Sequence, residues 1–91
     1  ENFPKVFALS QNSPNPVCGN TSISYQLPKK TNVTLKIYDS AGRLVNTLVD
    51  DVNEPGYYEV NWDVRDVPSG VYFFKFEAGN YKSTKKLVVM R

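Results

Sequence analysis

Val71-Tyr72-Phe73-Phe74-Lys75-Phe76-Glu77-Ala78 is the stretch whose reading decides the fold of this chain. Tyr72, Phe74 and Phe76 fall on one side of a period of two, Lys75 and Glu77 on the other. That alternation marks a half-buried β-strand. The charged pair defines the solvent face, so Tyr72, Phe74 and Phe76 are expected to enter a core. Phe73 is then left outside, either in a surface patch or under a loop.

The same period recurs upstream. Ile23, Tyr25 and Leu27 share a face against Ser22, Ser24 and Gln26. Val33, Leu35 and Ile37 alternate with Thr34 and Lys36, and Tyr58, Val60 and Trp62 with Glu59, Asn61 and Asp63. No stretch has a convincing helical period. Turn residues separate the runs. Asp39-Ser40-Ala41-Gly42 fits a type I turn with glycine in the left-handed region, and Gly79-Asn80 fits a two-residue hairpin. Glu54-Pro55-Gly56 and Pro68-Ser69-Gly70 break the chain before further strands. Pro14 and Pro16 confine the first strand region to an edge or bulge. Leu44 to Asp50 alternates poorly, which predicts a bulge or an irregular edge. Leu87-Val88-Val89-Met90 is apolar on both faces, as in a strand buried on both sides or one awaiting a partner. About seven short strands result: an all-β, immunoglobulin-like antiparallel β-sandwich.

Ninety-one residues make one domain. Residues 1–6 read as a linker remnant and 7–91 as the domain. Five Phe, six Tyr and one Trp let a small core bury a large apolar area. Trp62 is expected to be part of that core. The net charge of +2 is too small to indicate nucleic-acid binding. Its distribution is uneven. Seven acids stand between Asp39 and Asp66 against Arg43 and Arg65, while Lys75, Lys82, Lys85, Lys86 and Arg91 follow Pro68 against Glu77. A mixed solubilising surface accounts for this, and so does a basic last strand that meets an acidic partner. No apolar run approaches the length of a membrane-spanning helix, so no membrane insertion is expected.

Catalysis finds little to work with. The chain has no histidine, which removes the Ser-His-Asp and Cys-His arrangements and the commonest metal ligand. Cys18 is the single cysteine, with no nearby base, and reads as a buried or half-buried structural thiol. Asp50, Asp51 and Glu54 form one acidic group, Asp63 and Asp66 another. Their spacing matches no EF-hand loop, and solvated loop acids are the default over a calcium site. No catalytic, cofactor or metal residues are assigned, and no cofactor is expected. Lys75 alternates with Phe74 and Phe76, but period two sends those rings into the core, so nucleic acid is not an expected partner. Tyr57, Tyr58 and Phe73 form a candidate aromatic platform for a sugar, against the plainer reading that Tyr58 is core and the others cover the sheet.

Six phrases, in order, carry a resemblance. They are Leu9-Ser10-Gln11-Asn12-Ser13-Pro14-Asn15-Pro16, Thr21-Ser22-Ile23-Ser24-Tyr25-Gln26-Leu27-Pro28, and Ile37-Tyr38-Asp39 with Gly42-Arg43-Leu44-Val45. Trp62-Asp63, Pro68-Ser69-Gly70-Val71-Tyr72 and Lys86-Leu87-Val88-Val89 complete the series. Together they resemble the C-terminal sorting domain of the type IX (Por) secretion system, and equally the immunoglobulin-like domain of the flagellar hook-capping protein. The segment Asp63 to Val67 is shorter than the glycine-containing loop common in hook-cap members, which favours the sorting branch.

The resemblance implies a non-catalytic module at the C-terminus of a larger secreted bacterial protein. That protein would carry an upstream catalytic or adhesive domain. The module would be exported through the periplasm, sort or anchor its parent at the cell surface, and have secretion machinery or cell-surface components as partners. It places recognition on Pro68, Ser69, Gly70, Val71, Tyr72, Lys85, Lys86, Leu87, Val88 and Val89. The last strand would either pair with a receptor edge or close the sandwich. The alternatives are a structural spacer or scaffold domain, extracellular or flagellar, and a carbohydrate-binding accessory module.

Overall fold

The computed structural model describes residues 3–90. Seven strands run β1 (Ala8–Leu9), β2 (Asn20–Leu27), β3 (Thr31–Asp39), β4 (Leu44–Asn53), β5 (Gly56–Asp63), β6 (Gly70–Ala78) and β7 (Tyr81–Val89). They form two antiparallel sheets, β1-β2-β5 and β4-β3-β6-β7. A three-stranded sheet on a four-stranded one, with consecutive strands exchanged between them, is an immunoglobulin-like sandwich.

The alternation read from the sequence fills the space between the sheets. Tyr72, Phe74 and Phe76 are buried, as are Ile23, Tyr25 and Leu27, Val33, Leu35 and Ile37, and Trp62. Phe73 is half-buried on the outer face of the four-stranded sheet. The rings meet across the core: Tyr25 lies 4.9 Å from Phe76 and stacks on Tyr58 at 5.1 Å, and Trp62 meets Tyr72 edge-on at 5.9 Å. Each such pair adds about 0.5–1.5 kcal/mol beyond its burial.

Two hairpins take the turns their residues specify. Gly42 has φ +85° and donates its amide to the Asp39 carbonyl at 3.0 Å. Gly79, at φ +60°, joins Ala78 to its partner Tyr81. The expected irregularity of β4 is present: its pairing with β3 shifts register at Leu35/Lys36 and at Ile37/Tyr38, and β4 is an edge strand. Bulges of this kind twist an edge and discourage its pairing with other chains.

Cys18 corrects its expectation, because it is exposed. Val17 takes the core position instead, and the period of two then turns its neighbour Cys18 outward.

Candidate functional site

The sandwich has two poles. One is built from the β3–β4 turn at Asp39–Arg43, the 64–69 loop, the starts of β2 and β6, and the ends of β5 and β7. Register fixes this directly: Asp39 pairs with Tyr72, Gly70 with Val89, Tyr38 with Leu44 and Asn20 with Asp63. The other pole holds the Gly79 turn, the 28–30 loop, Glu54 and Pro55. Phe7, on the way into β1, stacks on Tyr81 at 5.6 Å there.

At the first pole the Asp39 carboxylate organises its turn. It accepts from the amides of Ala41 and Arg43 at 3.0 and 2.9 Å and from Arg43 Nε at 2.9 Å. The amide of Arg43, and then its guanidinium, hold the Asp39 carboxyl below the ordinary carboxylate range. Across the pole, Arg65 grips Asp63 through both guanidinium and amide, with the shortest contact 2.6 Å, and lowers that carboxyl in the same way. Both pairs are solvent-exposed, so they order loops more than they stabilise the fold.

Pro68-Ser69-Gly70-Val71-Tyr72 faces the Asp39 turn across a shallow groove. The groove is lined by Asp39, Ser40, Arg43 and Val45 on one side and by Asp66 to Tyr72 on the other. The Tyr72 hydroxyl donates to the Pro68 carbonyl at 2.7 Å, tying the loop to the start of β6. Such a tyrosine corner at the start of this strand is characteristic of immunoglobulin-like domains. Gly70, at φ +154°, lies where L-residues are strained, and it opens β6. The far pole repeats the device: Gly56 has the same φ, and Tyr58, two residues on, donates its hydroxyl to the Glu54 carbonyl at 2.6 Å. The signal for both corners is a Gly-x-Tyr after a proline, present twice in the sequence.

The third wall is the segment Gln11–Val17, which crosses from sheet to sheet as a strap. Ser13 bridges Ser22 of β2, and Val17 runs parallel to the end of β7. Val17 donates to the Val88 carbonyl at 2.7 Å and accepts from the Met90 amide at 2.9 Å. Asn15 Oδ1 accepts from the Val88 amide, and Gln11 Nε2 donates to the Lys86 carbonyl. Beneath the strap, Asn12 Nδ2 donates to Thr21 Oγ1 and to the Pro14 carbonyl, each at 3.0 Å, and Thr21 donates to the same carbonyl at 2.9 Å. Asn12 and Thr21 are both buried, and no buried side-chain polar atom among the described residues lacks a partner. The Ser13–Pro14 and Asn15–Pro16 peptide bonds are cis.

The strap bears on both readings of the terminal apolar run. Leu87 and Val89 are buried, Val88 is half-buried, and Met90 lies beyond the strand, exposed. The outer edge of β7 from Lys86 onward is therefore occupied by the chain itself. The stretch around Lys82–Thr84 lies outside the strap's contacts.

The ten recognition candidates accordingly divide. Gly70, Val71 and Tyr72 pair with Val89, Val88 and Leu87, so eight of the ten gather at or beside the pole. Lys85 and Lys86 sit farther down β7, opposite Phe74 and Phe73. Tyr72, Leu87 and Val89 are buried, while Pro68, Ser69 and Val71 are exposed.

Other candidates are separated. Tyr58 faces the core, Tyr57 is exposed on the outer face of β5, and Phe73 is on the opposite sheet, so the three form no common platform. The acidic loops do not converge either. Asp51 caps the amide of Val52, Glu54 faces Lys30 at 3.8 Å, and no three metal-ligating side chains cluster among the described residues.

Against known structures, the chain is similar to a domain of dimeric latent PorU from Porphyromonas gingivalis, at 25% identity and a TM-score of 0.69 over 88% of this chain. It is similar in fold to part of PorZ, an essential bacterial surface component of the type IX secretion system of the same organism, at 24% identity and a TM-score of 0.61 over 93% of this chain. It spans 9% and 11% of those two chains. No curated protein matches. A family model, the secretion system C-terminal sorting domain, matches residues 13–90. That span takes in the strap from Ser13 onward, the Asp39 turn, the Pro68–Tyr72 corner and the end of β7. The chain belongs to the secretion system C-terminal sorting domain family.

Proposed function

We propose that this domain is a non-catalytic export signal, read as a folded surface at the pole where Asp39, Pro68–Val71 and Val88 meet. One observation carries the reading. The family phrases, far apart in the sequence, each contribute a part to that pole: the strap, the start of β2, the Asp39–Val45 turn, Trp62-Asp63, the Pro68–Tyr72 corner and the end of β7, while Leu9 and Tyr25–Pro28 run on toward the other end. Buried members of these phrases build the pole, and exposed members present it.

The geometry favours this form of recognition over strand addition at the terminal run, whose edge the strap already occupies. It also suits a cargo. Residues 3–7 enter at the opposite pole, and the Cα trace extends 42 Å along its longest axis. A catalytic or adhesive domain preceding residue 3 would therefore lie away from the surface that is read. In this proposal the partners are components of the type IX machinery, the route passes through the periplasm, and the destination is the cell surface or the medium, where the parent is sorted or anchored.

The test is a fusion. The 91-residue chain is placed behind a periplasm-directed reporter in a host with type IX machinery, and surface appearance is measured. Export is expected for the unaltered chain. It is expected to be lost with Arg43→Glu plus Ser69→Glu, both exposed, and kept with Lys29→Glu plus Asn80→Lys at the far pole. Full export with the first pair, or equal loss with both, overturns the proposal.

A further inference from the structure

The outer face of the four-stranded sheet carries a charge arrangement that the fold does not need. Lys36 of β3 and Lys75 of β6 are directly opposed across the sheet. Directly opposed side chains have Cβ atoms about 4.5–5.5 Å apart, and like charges there are destabilising. Lys86 of β7 lies diagonal to Lys75, beside Thr84, and Lys82 continues the row. Between them lies an aromatic strip: Phe73 pairs with Tyr38 on one side and with Lys86 on the other, both rings half-buried.

Few acids answer this charge. Glu77 bonds Lys75 at 3.4 Å, and Asp50 stands opposite Thr34. Among the described residues, Lys36, Lys82 and Lys86 have no carboxylate within 4 Å. The outer face of the other sheet is the reverse, with Glu59 and Asp63 among Ser22, Ser24, Gln26 and Asn61.

We propose that this face binds an acidic polysaccharide, with anionic groups over Lys36, Lys75 and Lys86 and a sugar ring against Phe73. Charge complementarity sets the sign of the ligand. An anion between Lys36 and Lys75 converts a repulsive pair into a chelate. Half-buried rings on a sheet face suit the apolar face of a sugar better than they suit bases, which stack on projecting rings. A bilayer fits less well, because the exposed apolar residues of this face, Leu44 and Val52 at opposite ends of β4 and Val71 near the start of β6, are spread around its margin. The inference is independent of the export reading, since these residues lie along the strands and the groove lies at the pole.

Dextran sulfate is the probe, with uncharged dextran as control, titrated calorimetrically against the 91-residue chain. Binding to dextran sulfate alone is expected, weakening roughly twentyfold to fortyfold between 50 and 200 mM salt if about three charges are engaged. Lys36→Gln/Lys75→Gln/Lys86→Gln should weaken it roughly tenfold or more while the melting temperature holds or rises, since repulsion is relieved. Lys29→Gln/Lys30→Gln at the far pole should change it less than about twofold. Glu77→Gln, which removes a competing carboxylate, should tighten binding, a gain that misfolding does not mimic. Phe73→Leu should weaken it with the charge unchanged. No binding, equal loss in the two lysine variants, or equal affinity for a single-stranded DNA of matched charge each overturn the proposal.

Discussion

Replacing Tyr72 by Phe, and separately Tyr58 by Phe, distinguishes a pole that is read from one that only closes the fold. Each substitution removes one hydroxyl from the same local device. The two hydroxyls donate at 2.7 and 2.6 Å to carbonyls four residues upstream, of Pro68 and Glu54. The rings stay, so Tyr72 keeps its contact with Trp62 and Tyr58 its stack on Tyr25. A hydrogen bond of this kind contributes a net of about 0.5–1.5 kcal/mol. Pro68 and Glu54 are exposed, so each freed carbonyl takes a water and the larger penalty of a buried unpaired acceptor is not added. Urea unfolding should therefore show two losses of about 1 kcal/mol, agreeing within about 0.5 kcal/mol. Against roughly 5 kcal/mol or more for a chain of this length, both variants stay folded. Export in the fusion assay should separate them. Tyr72→Phe releases the Pro68–Val71 loop from its tether and should lower surface appearance severalfold, whereas Tyr58→Phe should export like the parent. Equal export from two variants of equal stability would refute the claim that the pole is what the machinery reads.

Trp62→Ala removes a buried ring from between the sheets and should cost about 3–5 kcal/mol, measured by urea denaturation, leaving a domain that is marginal at best. Asn12→Ala strips the donor that ties the strap to Thr21 and Pro14. It should cost about 1–3 kcal/mol and speed amide exchange at Val88 and Met90, whose edge the strap covers. Burial, and secondarily the neighbouring Tyr58, push the Tyr25 phenol up to about 12. The folded state then keeps a proton that an unfolded tyrosine loses near pH 10, so Tyr25 contributes stability below pH 10 that is lost as the pH rises towards 12. Tyr25→Phe should flatten that alkaline decline in a pH series of melting temperatures.

Much of the molecule was legible in one dimension. Alternation at Tyr72, Phe74 and Phe76, at Ile23 to Leu27 and at Val33 to Ile37 states which face each strand buries, because the pleat repeats every two residues whatever surrounds it. Gly42 and Gly79 mark their turns for an equally local reason, a positive φ that other residues adopt at a cost. The poor alternation of β4 announced an edge strand with shifted register.

What stayed hidden depends on pairings between distant residues. The strap joins residues 11–17 to 86–90, and only that contact makes Val17 core and Cys18 solvent-facing, against the reading of the isolated segment. The same contact fills the edge of the terminal strand that, in sequence, was equally consistent with a waiting receptor. Tyr57, Tyr58 and Phe73 are alike in composition, but strand parity and sheet assignment send them to three different places. Lys36 and Lys75, nearly forty residues apart, become a single cationic site because β3 and β6 are neighbours in exact register. By itself the sequence determined which residues leave water, since that follows from side-chain chemistry and a period of two. Only the tertiary structure decided which exposed residues stand together at the pole, because long-range strand pairing, not local preference, sets those distances.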